Sequence, residues 1–213
     1  MQIQLQQVAP VFIEEEKISR SQIWNSNLVF SPGEKIQIIA PSGSGKTSLV
    51  HFLYGVRKDY KGNILYDDKN INGFDAEALA TYRRKYTSIV FQDLRLFTEQ
   101  TVLQNLEIKR QLDPFHKENK IVEMAKRLGI ESKLGKLCKT CSYGEQQRIA
   151  IIRSLQQPFN FLLLDEPFSH LDDDNRRLAM ELIENEAAFR KATIILADLQ
   201  PIKFFNADRS LNL

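Results

Sequence analysis

The sequence predicts an α/β protein: a mostly parallel sheet with helices on both faces, an antiparallel β arm and an inserted helical lobe. Three observations carry this. In the last third of the chain, strand-sized apolar runs such as "FLLL" and "ATIILA" alternate with helical patterns, as in a parallel sheet. Earlier, "SNLVFSPGEKIQIIA" reads as a strand, a Pro-Gly turn and a second strand. Between residues 94 and 143 helical spacing replaces the strand signal. The 213 residues suit one domain, 1–213, with 94–143 as a helical subdomain inserted in its core.

Taken in order, "IQLQQV" alternates as an edge or meander strand, and the acidic cluster Glu14–Glu15–Glu16 reads as a solvated turn. Residues 35–40 are nearly all apolar, as a strand covered on both faces should be. "GKTSLVHFLYG" follows as a helix closing at Gly55. "GNILYDDKNI" gives a short hairpin arm and "YTSIVFQD" another buried strand. In the lobe, "VLQNLEIKRQL" and "KENKIVEMAKRLGI" have helical spacing on either side of a "DPF" break. A helix over 144–155, a strand over 161–164, a helix over 173–187 and strands over 193–197 and 209–213 complete the chain.

Composition bounds the function. A net charge of +2, well mixed along the chain, gives no argument for a nucleic-acid partner. No apolar run reaches the length of a membrane span, so no direct span is expected. "MQIQLQQVAP" has neither the basic segment nor the apolar stretch of a secretory signal. Cys138 and Cys141 form a lone C-x2-C; no second pair or downstream His pair completes a zinc site, and a reduced cytosolic location is the better reading.

"APSGSGKTS" follows a buried strand and opens a helix, the context in which such a loop holds phosphate. Gly43 and Gly45 remove side chains, so backbone N–H groups from Ser42, Ser44 and their neighbours through Ser48 can wrap a phosphate beside the helix N-terminus. Lys46 reaches the β- and γ-phosphates, and Thr47 offers its hydroxyl to Mg²⁺. Ala40 stands where the pattern has its first glycine, which is tolerable at negative φ. A P-loop NTPase core binding ATP follows. "FNFLLLDEP" then ends an apolar strand in two acids: Asp165 to hold Mg²⁺ through water, Glu166 to orient or deprotonate the attacking water.

A second glycine-bearing helix start, "CSYGEQQR", lies nearly a hundred residues after the first loop. Phosphate loop, "VFQD", "CSYGEQQR", "LLLDEP" and "SHLD", in that order, resemble the ATP-binding subunit of an ABC transporter over essentially the whole chain. The resemblance is to the short lipoprotein-release, cell-division and macrolide-export group, whose signature typically reads "LSGGEQQR". It implies a head-to-tail dimer of ATPase subunits, homodimeric or heterodimeric. Ser142 and Gly144 of one subunit would complete the γ-phosphate site of the other. It further implies that Gln92 approaches Mg²⁺ and the attacking water, that Asp172 lies at the dimer interface, and that Phe12 stacks on adenine. The partners implied are integral-membrane permease subunits, docked in a groove lined by "DLRLFTEQTVLQNL" on the cytoplasmic face of the cell membrane.

The pattern is broken in three places. Cys141 replaces a leucine, a mild change between apolar packers, and Tyr143 replaces a glycine, which would strain only at positive φ. After "ATIIL" the family has a histidine on the γ-phosphate; here Ala197 stands, followed by Asp198. Two readings stay open beside the transporter ATPase. One is a slow ATPase acting mainly by ATP-gated dimerisation. The other is a soluble ABC-type ATPase of nucleic-acid metabolism, although those chains usually carry coiled coils, zinc modules or a second cassette. The cargo and its direction are not encoded in these motifs.

Overall fold

In the computed structural model, which describes residues 1–213, two sheets share one molecule. The first is antiparallel, in the order β2-β1-β4-β5, built from β1 (Ile3–Pro10), β2 (Asn27–Phe30), β4 (Tyr60–Tyr66) and β5 (Lys69–Asn70). The second is parallel, in the order β6-β7-β8-β3-β9, built from β3 (Lys35–Ile39), β6 (Thr87–Val90), β7 (Phe161–Asp165), β8 (Thr193–Asp198) and β9 (Arg209–Asn212). Every residue of β6 and β7 is buried, which is why these strands read as continuous apolar runs. β1 is not an edge strand: it pairs with β2 on one side and β4 on the other.

The parallel sheet separates two cores. Ile36, Ile38, Leu163 and Ile195 pack with Leu49, Phe52 and Leu53 of α2 (Lys46–Leu53) and with Leu5, Phe30 and Tyr66 of the antiparallel sheet. On the opposite face, Leu162, Leu164 and Leu196 pack with α6 (Tyr143–Ser154), α7 (Asp173–Arg190) and the lobe helices α4 (Val102–Leu112) and α5 (Asn119–Arg127). Side chains alternate across a strand, so Asp165 and Ala197, two residues beyond Leu163 and Ile195, face the α2 side.

Local chemistry sets the helix ends. α2 closes with Gly55 N–H on Phe52 O and Val56 N–H on His51 O, the paired bonds of a glycine-terminated helix. Thr101 and Gln104 form a reciprocal capping box at the start of α4. Two helices depart from the sequence reading. The acidic cluster enters a short helix, α1 (Glu15–Arg20), rather than a turn, with Arg20 on Glu16 one turn away. α3 (Ala76–Lys85) buries only Leu79 and so has no apolar stripe to betray it. The lobe is tied to the core at His116, whose Nε2 lies 2.7 Å from Glu186 Oε2 and 2.9 Å from the Arg190 guanidinium. Arg190 also pairs with Glu186 and donates to Leu155 O at 3.0 Å.

Candidate functional site

The carboxyl ends of the parallel strands come level at one edge, where open α/β sheets bind ligands. Val90 pairs with Leu164, Asp165 with Ala197 and Ile39 with Asp198. A cleft of about 390 Å³ opens there, lined by Ser42, Gly43, Gly45, Lys46, Thr47, Ser48, Gln92, Glu166 and, at its mouth, Phe12, Ile13, Glu14 and Lys17. Residues from four separate stretches of sequence thus meet in one place.

The loop from Ala40 to Lys46 is built around Gly45. Its φ is 100°, and a Cβ there would fall 2.7 Å from Ile13 Cδ1 and 3.1 Å from the Trp24 ring. Trp24, 3% exposed, donates its indole N–H to Ser44 O at 3.3 Å. Ser44 Oγ donates to Pro41 O at 2.8 Å, so the loop is held from within as well. Ala40 keeps an ordinary φ, as its methyl requires.

Lys46 is 5% exposed. Its ammonium donates to Ala40 O at 3.0 Å and to Pro41 O at 3.4 Å, and lies 3.3 Å from Glu166 Oε1. Thr47 donates its hydroxyl proton to Gln92 Oε1 at 3.1 Å, which joins the phosphate loop to the end of β6. Asp165 is fully buried, and neither carboxylate oxygen has a hydrogen-bond partner. Burial pushes its carboxyl up to about 6, tempered by the nearby Thr47 hydroxyl. A buried anion with unspent lone pairs beside a hydroxyl suits a hard cation. No group of three His, Cys, Asp or Glu residues gathers as a protein-only metal cage. Mg²⁺ therefore fits here only as an ion shared with phosphate and water.

Glu166 stands in the left-handed region, φ 46°, a conformation that a residue with a side chain keeps only where its surroundings impose it. Its N–H donates to Ala197 O at 2.9 Å, and Gln147 of α6 donates to its carbonyl at 3.4 Å. Ala197 contributes only a methyl group at the position level with Asp165.

Phe12 is half exposed at the mouth, with the Arg57 guanidinium 4.8 Å from its ring centroid. Arg57 also donates to Ser48 Oγ at 3.0 Å, so the Ser48 side chain is already engaged. Nothing in the sequence singled out Arg57 or Trp24, and Gln147 stands there only as one letter of "CSYGEQQR". The one signal available was that Trp24 is the only tryptophan.

Ser142, Gly144 and Asp172 do not join this cleft. Ser142 caps α6, accepting from Glu145 N–H at 3.3 Å while Glu145 Oε2 accepts from Ser142 N–H at 2.7 Å. Tyr143 takes an ordinary helix-start φ, so its replacement of glycine carries no backbone strain. Its ring lies 4.2 Å from that of His170. A Cβ on Gly144 would come 3.0 Å from His170 O, so the start of α6 and the 169–172 loop approach closely. Asp172 caps α7, and the Asn175 N–H and amide hold its carboxyl below its usual range. Cys138 and Cys141 are both buried, Cys138 accepting from the Asn105 amide at 3.2 Å.

The family model described as "ABC transporter" matches residues 23–169. The chain is 32% identical over 162 residues to a lipoprotein-releasing system ATP-binding protein, LolD, of Buchnera aphidicola, covering 74% of this chain and 70% of that protein. It is 36% identical over 177 residues to a thiamine import ATP-binding protein, ThiQ, of Histophilus somni, covering 82% and 80%. Among solved structures, the dimeric bacterial ABC transporter cassette MJ0796 superposes with a TM-score of 0.84 at 24% identity, over 99% of this chain and 94% of that one.

Proposed function

The chain belongs to the ABC transporter family as an ATP-binding subunit, and from that premise we propose that two such subunits close head to tail around two Mg-ATP and hydrolyse them to drive membrane-spanning partners. The observation that carries this reading is the division of the anion-binding groups. Lys46 and the phosphate loop line the cleft, whereas Ser142 and Gly144, at a second helix N-terminus, lie outside it. One subunit holds half of each site, and the phosphate bridges the halves.

The residues of the cleft divide the work. Phosphate entering the loop competes for the Lys46 ammonium, which releases Glu166 from its ion pair. Glu166 then takes a proton from the attacking water as the new P–O bond forms and the bond to ADP breaks. Gln92 orients that water from the end of β6. Thr47, Asp165 and Gln92 would hold Mg²⁺, which supplies charge neutralisation on the phosphates. Phe12 offers a ring face to the base at the cleft mouth.

We further propose that hydrolysis in this chain is slow, a reading favoured by Ala197, which occupies the strand end level with Asp165 and has no side-chain donor. Binding and closure rest on other residues and are retained. No helix is long and apolar enough to cross a membrane, and in this reading the membrane-spanning partners are permease subunits. These would seat beside Gln92 against residues 93–106 and hold the protein at the inner face of the cell membrane. LolD and ThiQ are named for different tasks, lipoprotein release and thiamine import; the proposal assigns cargo choice to the permease.

Steady-state phosphate release in Mg-ATP, wild type beside Glu166→Gln, tests the assignment. The variant should be slower by roughly 10²–10⁴-fold, the usual contribution of a general base. It should also elute as a dimer only when ATP is present. Equal rates together with an elution volume indifferent to ATP would overturn the reading.

A further inference from the structure

The loop after Gln92 holds a conformation that its sequence does not favour. Leu94 (φ 57°) and Arg95 (φ 48°) are consecutive non-glycine residues in the left-handed region. L-residues enter that region at a cost and stay only where their surroundings over-determine it. Here the surroundings are specific. The Leu94 side chain is 3% exposed, packed in the core between lobe and sheet. Both strained carbonyls accept from one guanidinium: Arg153 donates to Leu94 O at 2.6 Å and to Arg95 O at 2.7 Å.

Arg153 is itself unusual. It is 9% exposed, yet these two carbonyls are the only hydrogen-bond partners of its guanidinium and no carboxylate pairs with it. Burial without a counter-ion brings its pKa down to about 10. A buried charge satisfied only by the dipoles of one turn ties that turn tightly to the helix that carries it. That helix is α6, which begins at the Ser142 cap. At its other end Tyr143 Oη lies 3.5 Å from Gln92 O. α6 therefore grips the loop on both sides of Asp93, and Gln92 reaches from it to Thr47 in the phosphate loop.

We propose that Arg153 is a positioning residue that locks the Gln92 loop to α6. Through it, the contact made by Gln92 at a chain's own nucleotide and the contact offered by Ser142 to the partner's nucleotide move as one unit. This rests on the head-to-tail dimer proposed above. The lock gives the two half-sites a rigid connection, and its chemistry is particular to arginine. The planar fork spans two carbonyls at once, whereas a lysine ammonium presents a point charge.

The test compares Arg153→Lys, Arg153→Met and the double variant Arg153→Lys/Arg95→Gly with wild type. It reads ATP affinity of the monomer, kcat and Hill coefficient of phosphate release, and melting temperature. Arg153→Lys should keep its monomer affinity, with a melting temperature lowered only by the loss of one carbonyl bond. Its kcat should fall, and the coupling of affinity between the two ATP sites, commonly about 5- to 150-fold, should be lost, so that its Hill coefficient drops to about 1. Glycine takes positive φ without strain, so Arg95→Gly should recover part of the lost cooperativity in the Arg153→Lys background. Wild-type kcat and cooperativity in Arg153→Lys would overturn the proposal. So would a joint fall of affinity, kcat and melting temperature with no recovery by Arg95→Gly, because that pattern belongs to a residue that merely holds the fold. If Glu166→Gln fails to dimerise with ATP, the dimer reading falls instead. Amide exchange across residues 92–96 of the monomer still tests the lock: it should accelerate in Arg153→Lys, and unchanged protection would remove it.

Discussion

At the scale of single residues, the site turns on what Ala197 lacks. It faces the α2 side of the sheet together with Asp165, and its carbonyl already accepts the Glu166 N–H. A histidine here would add an imidazole donor where charge develops on the γ-phosphate. Losing one such donor costs about 10²–10³ in rate in comparable oxyanion sites, so Ala197→His should raise phosphate release toward that factor. The same substitution adds a ring to a fully buried position, and overpacking of this kind typically costs about 1–3 kcal/mol. The expected result is a faster enzyme with a lower melting temperature. A variant no faster than wild type would show that the missing donor does not limit turnover.

At the scale of elements, α6 can approach the 169–172 loop because Gly144 has no side chain. Gly144→Ala, in the first turn of α6, should gain less helix stability than the about 0.5–1 kcal/mol of a helix interior while its methyl presses on His170 O. Overall stability should barely change, yet ATP-driven dimerisation of Glu166→Gln should weaken, as read by elution at several protein concentrations. What sequence could foresee divides along the same line. The phosphate loop, the Asp165–Glu166 strand end and the glycine-bearing helix start in "CSYGEQQR" are local patterns, written in adjacent residues. The sequence reads as a turn here because Glu14–Glu15–Glu16 suggest solvent and nothing else, and α1 buries no residue. The interior position of β1 depends on two partners distant in sequence. The left-handed Glu166, Leu94 and Arg95 left no trace, because none is a residue type that prefers positive φ. The contact of Tyr143 with His170 joins two residues that each looked like a departure or an ordinary loop residue.

At the scale of the molecule, a small charged network joins the segment between α4 and α5 to α7, beside the apolar core that the two share. Burial alone would raise the Glu186 carboxyl, but hydrogen bonds from His116 and Arg190 outweigh it and hold the carboxyl below its ordinary value. A depressed carboxylate contributes stability that is present above its unfolded pKa, about 4.3, and lost as pH falls through the lower folded value. Glu186→Gln should therefore melt below wild type at neutral pH, and the gap should close as the medium is acidified past about pH 4. A gap independent of pH would mean that packing, not charge, joins the two parts. The network lies far in sequence from the cleft residues, at the end of α7 and the break between α4 and α5. Its loss should reach catalysis only through the orientation of the lobe.

The indole packed on Gly45 has a practical consequence. Trp24 is the only tryptophan and bonds to a carbonyl of the phosphate loop itself. Its emission is therefore a native optical probe of that loop, free of background from other indoles. Titrating ATP or ADP into the unlabelled protein should shift its intensity or wavelength with saturation, and Lys46→Ala should flatten the curve. A fluorimeter would then follow occupancy, closure and release in real time without attaching a dye.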